Sequence, residues 1–212
     1  MGWSEVAARN HARRLEREGW LERVPMLRGE GSLFFATRKG VRMLGVPLIA
    51  CTTPAPTWWA HDSACAWTAA WCTLRGREFL GPRELLISTE WAEPLKWQDR
   101  SGVKRSGHRP DLVGFLPDGK PVTIEVELVA KSRSRLAAIL GVHRGWSYTK
   151  NSRGVVYICG GEAAQRRIER AGKRAGLYLE DGFLRIELLD TIKEQARAEF
   201  ERARAANEAT AA

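Results

Sequence analysis

Four side chains that could do metal-dependent chemistry lie within one short stretch of the chain. Asp111 begins an apolar run, Glu125 and Glu127 flank Val126 in the next run, and Lys131 follows. The turn sequence Pro-Asp-Gly-Lys separates the two runs and predicts a hairpin. Because strand side chains alternate, the two glutamates share one face. Either these groups gather around a metal ion, or they are ordinary surface charges on a hairpin.

The chemistry of these side chains favours a metal ion that acts on phosphate esters. Two neighbouring carboxylates repel each other unless a cation or a water molecule lies between them. Divalent ions with carboxylate ligands cleave phosphodiesters by holding the attacking water and the leaving oxygen. Asp111, Glu125 and Glu127 are therefore candidate metal ligands and catalytic residues for Mg²⁺ or Mn²⁺. Lys131 follows them with a positive charge.

Histidine and cysteine offer weaker candidates. His108 precedes Asp111 by three residues and has the chemistry of a base, although a loop histidine more often has no catalytic role. The four cysteines form no close pair, which is typical of reduced thiols. His61, Cys65 and Cys72 share one helical face and could hold zinc, but packing in the core is the favoured interpretation.

Composition limits the class of protein and of partner. The chain has 212 residues, of which 44% are hydrophobic, enough for one sizeable domain or two small ones. The formal net charge of +9 favours polyanionic partners, of which nucleic acid is the commonest. No apolar run approaches the ~20 residues of a membrane span. Because the N-terminus is too charged for a secretory signal, we expect a cytoplasmic protein with no membrane partner.

The N-terminal residues predict a helix followed by a hairpin. Residues 4–18 have a helical pattern, and apolar runs at 20–27 and 32–44 flank the loop Arg-Gly-Glu-Gly. Helix, strand, glycine-bearing loop and strand is the order in the second half of a winged helix, and the segment from Ala12 to Val24 resembles a recognition helix with its first wing strand. The resemblance implies that DNA is contacted by Arg9, Asn10, Arg13, Arg17 and Arg28.

Two alternatives remain open for this N-terminal segment. A charged helix is often only solvated, and the wing could contact a protein instead of DNA. The usual first two helices are not found before Ser4, so the winged helix is abbreviated, completed by a partner, or truncated.

The rest of the chain predicts an α/β domain with a mixed sheet in three layers. A proline-rich linker covers 46–57, and residues 77–88 read as a strand. The polar, glycine-containing stretch 97–108 reads as a mobile loop. The remaining predictions are helices at 58–76, 132–146, 162–176 and 190–212, a strand at 154–160 and a hairpin at 177–189.

The hairpin resembles the PD-(D/E)XK nuclease fold, whose motif is Pro-Asp, a turn, then an acid, one residue and lysine. Pro110 and Asp111 match its first half, and Glu125 matches the second acid. Glu127 stands where that motif has lysine. Some members of the fold have an acid at this place, and in others the lysine comes from the following helix. Lys131 is placed for that second role, as a candidate catalytic residue that stabilises charge on the phosphate or orients the water.

The longer segment 109–136, joined to a winged helix, more narrowly resembles the replication-relaxation family of plasmids and integrative elements. The resemblance implies a winged-helix-like segment at 1–48, a nuclease-like three-layer domain at 57–190, and a C-terminal helix and tail at 191–212. It also implies double-stranded DNA as partner, with Arg135 near a phosphate. A homodimer or a replication or conjugation protein is a further possible partner.

The resemblance implies a DNA-binding protein of a mobile element. The leading hypothesis is a magnesium-dependent endonuclease or nickase, a phosphodiesterase acting in replication or mobilisation of the element. The second is a catalytically inactive regulator or accessory protein that keeps the nuclease fold for binding, and the third is an adaptor between proteins. The geometry of Asp111, Glu125 and Lys131 discriminates between the first two hypotheses.

Overall fold

A computed structural model describes residues 5–25, 32–45, 55–129, 131–177 and 181–211. The chain divides into two compact units. The first unit consists of Met1–Ser63 together with Arg197–Ala212, and the second is Ala64–Ala196. Helices in the described ranges include none that is long and apolar enough to cross a membrane.

The N-terminal part of the first unit is a helix, a hairpin and a short helix. The elements are α1 (Glu5–Arg17), β1 (Leu21–Pro25), β2 (Ser32–Ala36) and α2 (Arg38–Met43). Strands β1 and β2 pair in antiparallel register, as predicted. The predicted strand at 32–44 is wrong beyond Ala36, because the Thr37 side chain accepts a hydrogen bond from the Gly40 N–H and caps α2.

The remaining elements include the whole central sheet. Helices α3 and α7 extend across the boundary between the units. In chain order the elements are α3 (Pro56–Leu74), β3 (Phe79–Leu80), α4 (Pro82–Ile87), β4 (Glu93–Asp99), β5 (Gly102–His108), β6 (Leu112–Phe115), β7 (Pro121–Glu127), α5 (Arg133–Thr149), β8 (Val155–Cys159), α6 (Glu162–Arg174), β9 (Leu184–Leu188) and α7 (Leu189–Ala211).

The central sheet has five strands in the order β3-β6-β7-β8-β9. The pairs β3–β6 and β6–β7 are antiparallel, whereas β7–β8 and β8–β9 are parallel, so the predicted mixed sheet is confirmed. Leu112 pairs with Ile124, which brings the start of β6 beside the end of β7. The candidate acids therefore belong to adjacent strand ends.

Apolar side chains cover both faces of the sheet. Ile124, Val126 and Ile158 pack with buried residues of α3 and α7. The opposite face presents Tyr157 to a second cluster that includes Leu136 of α5 and residues of α6. The alternation along β7 thus directs valine and isoleucine to one helical layer and both glutamates toward the other.

Two segments differ from the sequence predictions. Residues 77–88, predicted as a strand, form only the short β3, after which Pro82 begins α4 and the Glu84 side chain accepts from the Gly81 N–H. The polar stretch 97–108, predicted as a loop, belongs to the antiparallel hairpin β4–β5. Strand β4 packs on α5, and tertiary packing of this kind overrides weak local preference.

Two other predictions fall partly outside the described residues. The linker at 46–57 includes 46–54, which lie outside them, and α3 already begins at Pro56. The predicted hairpin at 177–189 contributes β9, which pairs with β8 in parallel, while 178–180 of its first arm lie outside the described ranges.

Candidate functional site

Asp111 is held against the strand that carries the two glutamates. Its N–H donates to the Ile124 carbonyl at 3.0 Å, as in a continued ladder. Its Oδ2 accepts from the Val126 N–H at 2.7 Å. Because Val126 lies between Glu125 and Glu127, the Asp111 carboxylate is anchored at the middle of the Glu-Val-Glu segment.

Glu125 lies in the interior between two imidazoles. Only 3% of the side chain is exposed, and its Oε1 is 3.1 Å from His143 Nε2 and 3.2 Å from His108 Nε2. Burial raises the pKa of Glu125, but the two facing imidazoles outweigh burial and hold that pKa well below its ordinary range. These contacts favour the ionised form of the buried Glu125 carboxylate.

His143 completes a chain of polar contacts that ends on the backbone of Gly154. Its Nδ1 lies 2.9 Å from Thr123 Oγ1, which lies 3.1 Å from the Gly154 carbonyl oxygen. Burial lowers the pKa of His143 more than the Glu125 carboxylate raises it, so the neutral ring is favoured.

Glu127 and Lys131 form a pair at the end of β7. The Lys131 ammonium donates to Glu127 Oε2, and the Lys131 backbone N–H donates to Oε1 at 3.1 Å. Burial raises the pKa of Glu127, and the positive charge of Lys131 limits that rise. Lys131 precedes α5, which Ser132 caps, so this lysine comes from the turn rather than from the helix itself.

Aromatic rings surround the two histidines. The Trp146 ring stacks on His108 at 5.8 Å between centroids and meets His143 edge-on at 5.2 Å. Tyr157 lies opposite Glu125 in the parallel register. Within the described ranges, His108 Nε2, Trp146 Nε1 and the Tyr157 hydroxyl are buried atoms without a hydrogen-bond partner. His108 Nε2 is close to Glu125 although it is not counted as hydrogen-bonded to it.

The structure brings together a ligand set that the sequence did not indicate. One potential ligand atom each from His108, Glu125 and His143 lies within 4.8 Å of the others. Among the described residues, no such group of three unites Asp111, Glu125 and Glu127. The sequence did contain a signal that His143 is buried, because it lies on the apolar face of α5 between Leu140 and Trp146.

No family model and no curated protein matches the chain. Among solved structures it is similar to the crystal structure of protein VC1899 from Vibrio cholerae, with 12% sequence identity and a TM-score of 0.37. The match covers 97% of this chain and 44% of that chain, so this chain spans less than half the length of VC1899. A similarity this weak establishes neither a shared fold nor a shared activity.

The predicted DNA-binding residues are distributed over both units. On α1, Arg9, Asn10, Arg13 and Arg17 are exposed. Arg28 lies outside the described residues. Arg135 belongs to α5, where its guanidinium lies over the Trp97 ring at 5.2 Å from the centroid.

A groove rich in arginine lies between α5 and α6. It encloses about 650 Å³, and its floor includes Leu136 and Ala171. The arginines that line it are Arg133, Arg167, Arg170 and Arg174. Four guanidiniums along one groove create a positive potential that attracts phosphate groups.

Proposed function

We propose that the chain is a DNA-binding protein that cleaves or nicks DNA with a divalent metal ion. One observation carries the proposal: the Asp111 carboxylate accepts from the N–H of Val126, the residue between Glu125 and Glu127. Two neighbouring strands thereby contribute three carboxylates to one segment, and the last of them pairs with Lys131. Metal-dependent phosphodiesterases are built from such groups.

The chemistry of the donor atoms suits the ion expected from the sequence, although Asp111, Glu125 and Glu127 do not form one compact ligand group among the described residues. Carboxylate oxygens are the ligands that Mg²⁺ and Mn²⁺ prefer, and Asp111, Glu125 and Glu127 would supply them. When bound, such an ion polarises the phosphate and activates a water molecule. Lys131 would hold its positive charge beside a phosphate oxygen, and the Val126 N–H would keep Asp111 in position.

Basic surfaces support a nucleic acid as the substrate. The groove between α5 and α6 presents guanidiniums of Arg133, Arg170 and Arg174, which suit phosphates in planar, bidentate contacts. The net charge of +9 adds an attraction for polyanions that does not depend on sequence. These features favour a DNA strand over a small phosphate ester.

The N-terminal helix and hairpin would choose the DNA site. In this proposal, α1 lies in the major groove as the recognition helix of a winged helix, with Arg9, Asn10 and Arg13 at the bases. The resemblance to the replication-relaxation family suggests that the DNA belongs to a plasmid or integrative element, and that cleavage serves its replication or mobilisation.

A second candidate is a regulator or accessory protein that binds DNA without cutting it. The pairing of the acids favours it, because Lys131 already neutralises Glu127 and the histidines already face Glu125. A carboxylate with such partners is less available to a hydrated magnesium ion.

A plasmid-nicking assay separates the two candidates. Supercoiled plasmid is incubated with the protein in millimolar Mg²⁺ or Mn²⁺ and, in parallel, in excess chelator. We expect metal-dependent nicking, which Lys131→Ala lowers by roughly 100-fold because a charge at the phosphate is lost. Asp118→Asn changes an exposed acid in the turn of the same hairpin and should leave the rate unchanged. Nicking that is no faster than in chelator would favour the regulator.

A further inference from the structure

The distances among His108, Glu125 and His143 match those of ligands around one small metal ion. Tetrahedral zinc has bonds of about 2.0–2.1 Å to nitrogen and oxygen, which places neighbouring ligand atoms roughly 3.3 Å apart. Glu125 Oε1 lies 3.1 Å from His143 Nε2 and 3.2 Å from His108 Nε2. The ligand atoms of all three residues lie within 4.8 Å of one another.

The direction in which the Thr123 hydroxyl donates its hydrogen determines which tautomer His143 presents to the Glu125 carboxylate. If the Thr123 hydroxyl donates to the Gly154 carbonyl, then Thr123 accepts from Nδ1–H of His143, and the neutral ring turns the Nε2 lone pair toward Glu125. A lone pair facing a carboxylate is repulsive unless a cation lies between them. If Thr123 donates to Nδ1 instead, Nε2–H donates to Glu125 and no cation is needed.

His108 is the second and independent indication of a ligand. Its side chain is only 8% exposed, and its Nε2 lacks a hydrogen-bond partner among the described residues although it lies beside Glu125. A buried polar atom without a partner is unfavourable because it has lost its hydrogen bond to water. A cation bound by Glu125 would satisfy this nitrogen, and it would also balance the charge of a carboxylate that is removed from water.

We propose that His108, Glu125 and His143 bind one divalent transition-metal ion of the zinc class. Two imidazoles and one carboxylate select zinc and similar ions, whereas magnesium prefers oxygen ligands alone. The Thr123–Gly154 contact supplies the outer partner that fixes the tautomer of a ligating histidine. Three protein ligands leave a fourth position for water. This zinc site goes beyond the proposed function. Glu125 belongs to both sites, but zinc binding does not require that the protein cleaves DNA.

Direct metal binding tests the site. The full chain is stripped with a chelator, and Zn²⁺ is then titrated by calorimetry with the bound metal counted by elemental analysis. We expect one high-affinity zinc per chain and a higher melting temperature, because the ion binds the native state preferentially. Co²⁺ in place of Zn²⁺ should give the intense visible absorption of a tetrahedral site. A wild-type chain that binds no zinc, or binds it without any rise in melting temperature, would overturn the proposal.

Two matched variants locate the ion. Glu125→Gln and Glu127→Gln make the same change two residues apart on the same face of β7. We expect Glu125→Gln and His108→Asn to weaken zinc binding at least 100-fold, and Glu127→Gln to bind as the wild type does. Equal loss in both glutamine variants would assign the ion to the carboxylates and overturn the proposal. Plasmid nicking is scored separately, so a failure of cleavage does not count against the zinc site.

Cysteine ligation and misfolding have their own readouts. Cys65, Cys72 and Cys159 are buried thiols, and a thiol is a ligand that zinc also accepts. Cobalt bound to thiolate would add a charge-transfer band in the near ultraviolet, and its appearance would contradict the histidine site. If Glu125→Gln fails to fold, as judged by circular dichroism of the metal-free form, the comparison of His108→Asn with Glu127→Gln decides.

Discussion

Asp111 and the two acids of the Glu-Val-Glu segment each have a different partner. Asp111 binds the Val126 N–H, Glu127 binds Lys131, and Glu125 faces imidazoles. Spacing in the hairpin was enough to predict that the three acids lie on neighbouring strands. The contact between His143 and Glu125 could not be predicted, because it joins residues 18 apart on different elements. Residue types identify the candidates, but tertiary packing decides which of them meet.

Lys131→Met should destabilise the protein by about 1–2 kcal/mol. The change keeps an apolar side chain but removes the ammonium that pairs with the buried Glu127 carboxylate. The loss arises because the buried Glu127 carboxylate is left unpaired. Its size is reduced by solvent screening, because Lys131 is 24% exposed. Urea unfolding measures it. The double variant Glu127→Gln, Lys131→Met should recover most of the stability, and a wild-type value for Lys131→Met alone would contradict the pairing.

The cost of Lys131→Met should also depend on pH. Burial raises the pKa of Glu127 above its unfolded value, so the folded state takes up a proton first as pH falls. The penalty is therefore largest above the folded pKa and decreases as pH falls through it. Urea unfolding at about pH 8 and about pH 5 should show the difference between variant and wild type becoming smaller in acid. A difference independent of pH would mean that Glu127 is not the source.

At the scale of elements, periodicity predicted the long helices and the apolar strands. Helices α1, α3, α5, α6 and α7 and strands β6 to β8 fall where the pattern indicated them. The hairpin β4–β5 was missed because its strands are polar. Few of its side chains are buried, and Leu95 is one of those few. Contact with α5, including Arg135 over Trp97, stabilises the hairpin, and such contacts are not encoded locally.

The entry to β8 depends on a glycine. Gly154 has φ +150°, and a Cβ there would lie 2.1 Å from the Phe183 carbonyl oxygen. Gly154→Ala should therefore destabilise the protein by about 3 kcal/mol or more, since both the backbone conformation and the β8–β9 pairing must change. Thermal or urea unfolding measures the loss.

Gly141→Ala is the matched control for that substitution. Gly141 lies in α5, and a Cβ there would contact nothing within 4 Å. Alanine should stabilise the protein by about 0.5–1 kcal/mol, because glycine is a poor helix former. If Gly154→Ala were as stable as Gly141→Ala, that result would contradict the close contact between Gly154 and the Phe183 backbone.

At the scale of the whole molecule, the positive charge should appear as salt-dependent DNA binding. The slope of log affinity against log salt falls by roughly one for each phosphate contact that is lost. We expect Arg170→Ala with Arg174→Ala, in the groove, to lower both affinity and slope. Fluorescence anisotropy with labelled duplex measures both. Arg9→Ala with Arg13→Ala tests α1 in the same way.

A control for net charge accompanies these variants. Arg202→Ala with Arg204→Ala removes the same two charges from α7, where each arginine pairs with a nearby glutamate. This double variant should change the affinity little. If it weakens DNA binding as much as the groove variant does, attraction by the total charge of +9 explains the binding and the groove has no special role.

Single-turnover cleavage tests metal-dependent phosphodiester chemistry most directly. Protein in excess over a labelled duplex is mixed with Mg²⁺ or Mn²⁺, and the cleaved ends are quantified for wild type and Asp111→Asn. We expect metal-dependent product from wild type and a rate at least roughly 100-fold lower for Asp111→Asn, because a carboxylate ligand is lost while the side-chain shape is kept. Product that forms at the same rate in both proteins, or in neither, would contradict metal-dependent cleavage at this site.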